Sequence, residues 1–251
     1  MQVPEYRVIG IPGLPEVRQG SELGGLICGA VRGASLEVLE GDIFVVTQKV
    51  VSKDEGRTIR LESVNPSRLA RSWAGELDKD PALVEIILGQ SRRIVRMDQG
   101  RLIVETHHGF VCANAGVDQS NTAAGEVTLL PEDPDASARR LRSCLEKSFG
   151  TRLAVIVSDT FGRPWREGLV NVAIGVAGLL PLMDYRGGLD SAGRPLEATA
   201  MAWADELAGA AEPVMGKTRG IPVAIVRGLT YPAAEGSARS LIRTPERDLF
   251  R

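Results

Sequence analysis

The sequence predicts a mixed fold of α-helices and β-strands, in the α/β or α+β class, with mixed sheets and flanking helices. Helix-like and strand-like segments alternate along the 251 residues, and one pair of strand-like segments has the pattern of an antiparallel hairpin. Hydrophobic residues make up 43% of the chain and charged residues 25%, as in ordinary globular proteins. We expect residues 1–251 to form one domain, which could be divided into two closely associated lobes.

The first half of the chain is predicted to form a helix, a strand, two more helices and a hairpin. Apolar residues between Leu23 and Val31 recur at helical spacing, and residues 43–46 form a short β-rich run. Asn65-Pro66 and Asp80-Pro81 are typical helix starts. Residues 94–96 and 102–104 then flank a turn at 98–100, which indicates the hairpin.

The second half begins with the clearest helix, at residues 134–149, where apolar side chains share one face and Gly150 follows as a stop. It leads directly into an apolar strand at residues 153–157. An alanine-rich helix at about 197–211 and a strand at 223–226 come next. The tail at 231–251 is rich in arginine and proline, and it is interpreted as a closing segment or as partly disordered.

Charge and cysteine content exclude several functional classes. The net charge of −2 argues against a nucleic-acid-binding protein that works through bulk positive potential. The three cysteines lie far apart without C-x-x-C spacing, which disfavours a zinc site and favours a reducing cytoplasm. We find no pattern of a signal peptide, and the most apolar stretch, 169–183, is too short to span a bilayer. The expected location is therefore the cytoplasm.

The sharpest chemical feature follows the strand at 153–157. Asp159 and Thr160 supply oxygen ligands for Mg²⁺ or Mn²⁺ at the carboxyl end of a strand, where ligands collect in α/β proteins. Arg163 and Arg166 could then face phosphate or carboxylate groups. Alternatively, Asp159 caps a turn and the arginines are surface charge, and the pattern alone leaves both interpretations open.

Two other segments also follow extended runs. Asp118 offers a metal ligand and Asn121 an amide, although an ordinary turn is the simpler interpretation of this segment by itself. After the strand at 43–46, Lys49 and Lys53 could neutralise phosphate charge, or they could be solvated in an exposed loop.

Two further patterns are discounted. Gly216-Lys217-Thr218 is not a P-loop, because Ala211 stands where the motif needs glycine and a helix precedes the segment in place of a strand. The adjacent His107 and His108 would point to opposite faces of an extended segment, so they cannot easily share one metal. We expect them to be structural loop or strand residues and not catalytic ones.

Five blocks of sequence, taken in order, resemble the coenzyme F420-0:L-glutamate ligase family. The likeness runs from about residue 13 to residue 228, and the ordered set is far more specific than any single block. The blocks are GLPEV at 13–17, GDIFVVTQKVVSKDEGR at 41–57, AGVDQSN at 115–121, LLPEDPDASA at 129–138 and SDTFGRPWREG at 158–168.

The resemblance implies an enzyme that uses GTP and Mn²⁺ or Mg²⁺, with K⁺ as a further aid, to join L-glutamate to coenzyme F420-0 through an acyl phosphate. Further glutamates would follow in γ-linkage. It also implies a two-lobed α+β fold and an intertwined homodimer. The metal ligands would be Asp118, Asp159 and Thr160. The GTP-contacting residues would be Leu14, Pro15, Glu16, Val17, Gln48, Lys49, Lys53, Asn121, Met215, Gly216, Lys217 and Thr218.

One departure from the family pattern concerns Lys217, because some relatives have glutamine there as a ligand of a second metal ion. The coordination of a second metal is therefore in question for this chain. Some relatives also carry a C-terminal nitroreductase-like domain, which we do not expect within these 251 residues. The competing hypotheses are a metal-dependent nucleotide hydrolase or kinase, and a deazaflavin-binding protein without catalytic activity. Neither nucleic acid nor a membrane is expected as a partner.

Overall fold

The computed structural model of the protein describes residues 3–98 and 100–248, and it confirms an α+β fold. The strands are β1 (Arg7–Gly10), β2 (Ile43–Thr47), β3 (Thr58–Arg60), β4 (Ser91–Asp98), β5 (Arg101–Thr106), β6 (Val111–Ala113), β7 (Glu126–Thr128), β8 (Ala154–Arg163), β9 (Arg166–Ala177), β10 (Met183–Asp184), β11 (Ala200–Met201) and β12 (Val223–Arg227). The helices are α1 (Leu23–Gly33), α2 (Gln48–Asp54), α3 (Arg68–Leu77), α4 (Pro81–Gly89), α5 (Pro134–Phe149) and α6 (Trp203–Met215).

The largest sheet has five strands in the order β1-β12-β2-β8-β9, with β2 and β8 parallel and the other neighbours antiparallel. Side chains of β2 alternate between two cores, with Phe44 facing α1 and α5, and Val45 facing α6. Because helices cover both faces, the strands are apolar at nearly every position, as the runs at 43–46, 153–157 and 223–226 predicted.

A separate apolar cluster lies among the smaller sheets β3-β7 and β4-β5-β6. Ile87 of α4, Leu102 and Val104 of β5 and Val127 of β7 are its fully buried members. The predicted hairpin is confirmed as β4 and β5, although Gln99 of its turn falls outside the described residues. Within the described parts of the chain, no helix is both long enough and apolar enough to cross a membrane.

Two helix starts differ from the prediction. Helix α3 is capped by the Ser67 hydroxyl, which accepts from the Ala70 N–H at 3.2 Å, so Asn65-Pro66 lies before the helix. Helix α6 begins at Trp203 and not near residue 197. The residues before it, 183–201, instead form the short β10–β11 pair and an isolated bridge between Leu189 and Pro195, where backbone pairing competes with helix formation.

The strand expected at 153–157 does not end before Asp159. Strand β9 pairs with β8 along its length, with Asp159 opposite Val172 and Thr160 opposite Asn171, so β8 continues to Arg163. Its other neighbour, β2, stops at Thr47. The sequence predicted a ligand site at the end of β8. Asp159 and Thr160 lie instead just beyond the end of β2, the parallel neighbour of β8.

The C-terminal tail is a closing segment over the part that the structure describes, and residues 249–251 fall outside it. The buried Asp135 carboxylate, near the start of α5, accepts hydrogen bonds from the backbone of Val176 at 2.8 Å and Ala238 at 3.0 Å, and from the Ser237 hydroxyl at 2.6 Å. One buried carboxylate thus joins α5, β9 and the tail. These contacts leave the buried carboxylate well paired.

Candidate functional site

A cavity of about 920 Å³ lies beside the edge of β8 that β2 leaves uncovered. Its volume is near the upper end of the range for small-molecule sites, which suits more than one ligand. The walls come from the segment before α1, the start of α2, the loop after β6, strands β8 and β9, and the end of α6 with its following loop. From the predicted site residues, the lining includes Leu14, Pro15, Glu16, Val17, Gln48, Lys49, Lys53, Asp118, Asn121, Asp159, Thr160, Gly216, Lys217 and Thr218.

Asp118 is held in place by backbone pairing and by a lysine. Its backbone N–H and C=O both pair with Thr128, at 3.0 and 2.8 Å, which anchors the loop to β7. Its Oδ2 lies 2.6 Å from Lys49 Nζ, and its Oδ1 accepts from the Ser120 N–H at 2.7 Å. Burial alone would raise the pKa of Asp118, but the hydrogen bonds from Lys49 and Ser120 outweigh burial and lower it. The carboxylate is therefore ionised near neutral pH.

Asp159 is shifted in the opposite direction. Burial raises its pKa to about 6, and the negative charge of Asp118 adds to the rise, against the opposing effects of the Thr160 N–H, Lys217 and Lys49. A divalent cation would offset the charge of Asp118 that disfavours ionisation of Asp159. Of the predicted ligands, these two thus form the acidic part of the cavity.

The hydroxyl groups beside these carboxylates also fit a hard cation. The Thr160 hydroxyl donates its proton to Asn171 Oδ1 at 2.7 Å, which leaves its lone pairs for other partners. Ser158 Oγ, in the cavity wall, is buried and has no hydrogen-bond partner among the described residues. Over residues 3–98 and 100–248, no three His, Cys, Asp or Glu side chains form a metal-binding group. A metal here would thus combine two carboxylates with hydroxyl oxygens and with oxygens of a substrate.

The lysines of the third predicted segment belong to helix α2, so the alternative of an exposed loop is wrong. Lys49 and Lys53 lie one helical turn apart on the wall of the cavity, and their side chains are only 17% and 15% exposed. Lys53 Nζ lies 2.5 Å from Glu16 Oε1, which draws the segment before α1 towards the cavity. The neighbouring Gln48 is buried, and its amide nitrogen donates to Leu129 O at 2.8 Å.

Sequence reasoning missed two polar residues of the wall, Asn171 and Glu212. Asn171 Nδ2 donates to Glu212 Oε2 at 2.8 Å, which connects β9 to α6. The available signal was that Asn171 interrupts the most apolar stretch of the chain. A polar residue that is 2% exposed inside an apolar strand needs a partner, and partners of this kind often belong to a site.

Three predicted residues lie outside the cavity lining. The Arg163 guanidinium donates to the backbone carbonyls of Glu167 and Gly168 inside the β8–β9 hairpin. Arg166 is exposed near the tip of the hairpin, and Met215, the last residue of α6, is buried in the core. The substrate role suggested for the two arginines remains a prediction that their positions do not support.

The two histidines have the structural positions expected for them. Nε2 of His107 donates to Gly89 O at 3.1 Å, and Nε2 of His108 donates to Pro131 O at 2.8 Å. Neither residue lines the cavity.

Residues 13–228 match the family model for F420-0:gamma-glutamyl ligase. Similar proteins include the coenzyme F420:L-glutamate ligases of Methanothermobacter thermautotrophicus, 47% identical over 97% of this chain and 98% of the relative, and of Methanopyrus kandleri, 46% identical over 99% of each. The coenzyme F420:L-glutamate ligase of Archaeoglobus fulgidus is 40% identical over 97% of this chain and 96% of the relative. The cavity is thus formed within the region of family similarity. The chain belongs to the F420-0:gamma-glutamyl ligase family.

Proposed function

We propose that this protein is a ligase of coenzyme F420 biosynthesis that joins L-glutamate to coenzyme F420-0, with GTP as the energy source and Mn²⁺ or Mg²⁺ as a cofactor. The observation that carries the proposal is the single cavity in which Lys49, Lys53 and Lys217 lie beside Asp118 and Asp159. Names of the similar proteins support the glutamate-ligase part, and the cavity chemistry supports the nucleotide and metal part. Further glutamates would be joined in γ-linkage.

The reaction would take place in two steps. In the first, a carboxylate oxygen of the acceptor bonds to the γ-phosphorus of GTP, the bond to the β,γ-bridging oxygen breaks, and GDP leaves. In the second, the glutamate nitrogen bonds to the carbonyl carbon of the acyl phosphate, and inorganic phosphate and a proton are released. Phosphoryl transfer needs positioning and neutralised charge more than covalent help from the protein.

The residues of the cavity wall suit this division of labour. Lys49 and Lys53 would offset phosphate charge, and their anchoring contacts to Asp118 and Glu16 keep both ammonium groups at the wall. Asp118, Asp159 and the Thr160 hydroxyl would hold the divalent cation. When bound, the metal would neutralise the charge that builds up on the phosphate oxygens.

No histidine within the described residues lines the cavity, so the site relies on lysines and carboxylates. We assign Asp159 to metal binding and not to general-base catalysis. This assignment follows from its position next to Asp118 and Thr160, which together offer the oxygen donors that a hard cation prefers.

The test is a set of incubations with GTP and Mn²⁺ in which glutamate and coenzyme F420-0 are added separately or together. We expect GDP release only when an acceptor is present, and a product whose mass increases by glutamate residues. GDP release without either substrate would favour the nucleotide hydrolase. Release that ends, with glutamate present, at an unglutamylated, phosphorylated product would favour the kinase. Binding of the deazaflavin without GDP formation would favour the non-catalytic binding protein.

The family resemblance also underlies two further proposals, a homodimer and an aid from K⁺. Light scattering of the purified protein tests the first, with a monomer mass as the contradicting result. Comparing the rates of product formation in K⁺ and Na⁺ buffers of equal ionic strength tests the second, and equal rates would reject a specific role for K⁺.

A further inference from the structure

Three oxygen atoms surround the Lys217 ammonium group at the wall of the cavity. Nζ lies 2.6 Å from Thr160 Oγ1, 3.5 Å from Asn171 Oδ1 and 3.5 Å from Glu212 Oε2. We call these three oxygens the oxygen cluster. A hydroxyl, an amide carbonyl and a carboxylate are the donor types that Mg²⁺, Mn²⁺ and Ca²⁺ accept in proteins. The cluster is therefore an environment suited to a small cation, and a lysine side chain occupies it.

The hydrogen bonds within the cluster run in one consistent direction. Thr160 donates its only hydroxyl proton to Asn171 Oδ1 at 2.7 Å, while Asn171 Nδ2 donates to Glu212 Oε2 at 2.8 Å. Each of the three oxygens consequently turns lone pairs towards Lys217. The three oxygens can therefore only accept at the position that Nζ occupies, and a cation suits that position.

The backbone also directs Lys217 towards the cluster. Helix α6 ends at Met215, and the φ of 60° at the following Gly216 turns the chain directly after the helical turn that carries Glu212. The Lys217 side chain is 59% exposed, so its ammonium group can meet both the cluster and a ligand in the cavity. At such exposure the ion pair with Glu212 adds little stability, which points to a role other than holding the fold together.

We propose that the Lys217 ammonium group is a built-in cation that occupies the oxygen cluster of Thr160, Asn171 and Glu212, so that the cavity binds one divalent cation fewer than its oxygen donors would allow. Asn171 and Glu212 are then positioning residues, which hold the charge of Lys217 close to Asp159. This inference deepens the proposed function and rests on it only in that a divalent cation enters the cavity. A tethered charge cannot dissociate, so this part of the site needs no second metal.

The test is a direct count of bound Mn²⁺ per chain, in which the electron paramagnetic resonance signal of free Mn²⁺ is followed as purified protein is titrated. Lys217→Gln removes the charge and leaves a neutral amide whose oxygen is one bond closer to the backbone, so we expect this variant to bind one more Mn²⁺ per chain than the original protein. Lys217→Arg is the matched control, which keeps the charge and should leave the count unchanged. Adding Glu212→Gln to Lys217→Gln removes the carboxylate of the cluster and should abolish the gain.

Two outcomes would overturn the proposal. One is an equal count for the original protein and Lys217→Gln. The other is a lower count when Glu212→Gln is introduced with Lys217 in place, since the cluster would then already hold a metal ion. The count needs neither GTP nor glutamate. Suppose that Lys217→Gln binds an extra Mn²⁺ but the original protein forms no glutamate-dependent product. The proposed function would then be rejected, and this inference would stand.

Discussion

Thr160 and Asn171 face each other across β8 and β9, and the Thr160 hydroxyl donates to Asn171 Oδ1 at 2.7 Å. The bond fixes the direction of the hydroxyl proton, so that one lone pair of the oxygen accepts from Lys217 and the other is available to a metal. Asn171, which the sequence analysis did not assign to the site, thereby orients Thr160, which it did. Contacts of this kind behind a metal ligand usually affect metal affinity strongly.

We therefore expect Asn171→Ala to weaken Mn²⁺ binding by about 10-fold or more, the lower end of such effects. Without Asn171 the Thr160 proton is free to point at the cation, and Glu212 loses its amide donor. Isothermal titration with Mn²⁺ measures the affinity, and circular dichroism checks that the helices persist. Unchanged affinity in a folded variant would mean that the Thr160 hydroxyl is not a ligand.

Asp159 lies inside β8 and not at a turn, so the turn-cap interpretation is wrong, and Asp159→Asn separates a role in metal binding from a role in stabilising the strand pair. Because burial raises the pKa of Asp159 to about 6, its charge is unfavourable in the metal-free fold. We expect the neutral variant to melt at the same temperature as the original protein, or higher, near neutral pH without metal. Ligation should fall by about 100-fold or more, as for loss of a direct electrostatic contact to the reacting groups.

Differential scanning calorimetry in the presence of a chelator measures the melting temperature, and product mass spectrometry measures ligation. An aspartate that only stabilises the strand pair would give the reverse pattern, with lowered stability and retained turnover. Either half of that reverse pattern would count against Asp159 as a metal ligand.

The sequence located Asp159 and Thr160 for a reason that was only partly right. A local apolar pattern indicates a strand, but it does not reveal which neighbour extends further, so the continuation of β8 along β9 was not predictable. Arg163 was grouped with these residues because it is close in sequence. In an extended strand each residue adds about 3.3 Å, which carries Arg163 roughly 10 Å beyond Thr160.

Asn171 and Glu212 were missed for a complementary reason. Their contact depends on where the end of α6 packs against β9, which is a tertiary relationship between segments 41 positions apart. The helix at 134–149 and the strand at 223–226 were predictable because their periodicity, caps and stops agree within each segment. Local patterns do not show which distant segments meet at the cavity. Only the resemblance of the ordered sequence blocks to one family brought those segments together in the prediction.

The ion pair between the buried Asp42 and the partly buried Arg227 offers a test of the central sheet that is independent of function. Asp42 is 1% exposed and receives two hydrogen bonds from the Arg227 guanidinium, Nε to Oδ1 at 2.8 Å and Nη2 to Oδ2 at 2.6 Å. Asp42→Ala would remove the carboxylate partner of the guanidinium and leave it the Glu37 carbonyl, which accepts from Nη2 at 2.6 Å, so we expect the free energy of unfolding to fall by about 3 kcal/mol. Urea denaturation measures this change.

The matched control for that change is Glu62→Ala, which breaks the exposed ion pair between Arg60 and Glu62. Since exposed pairs contribute at most about 1 kcal/mol, this variant should lie close to the original protein. Equal losses in the two variants would show that burial of the Asp42 pair does not add to its effect on stability.

His108 should make stability depend on pH. Burial lowers its pKa, the carbonyl of Pro131 opposes that shift, and the nearby charges of Arg57 and His107 reinforce it. Nε2 donates to Pro131, whereas Nδ1 is buried without a partner among the described residues, so protonation would bury an unpaired N–H. As the pH falls below about 6.5, the unfolded chain takes up a proton at this residue before the folded chain does, and the free energy of unfolding decreases.

His108→Gln keeps an amide donor for Pro131 and removes the titrating group. Between about pH 7.5 and about pH 5.5, its free energy of unfolding should therefore decline less than that of the original protein, by at most about 1.4 kcal/mol for each pH unit below 6.5. Urea denaturation at several pH values gives the comparison. His107→Gln is the control, because that ring is exposed and its removal leaves His108 in place. An equal decline in the original protein and His108→Gln would mean that the partly buried imidazole is not the source of the pH dependence.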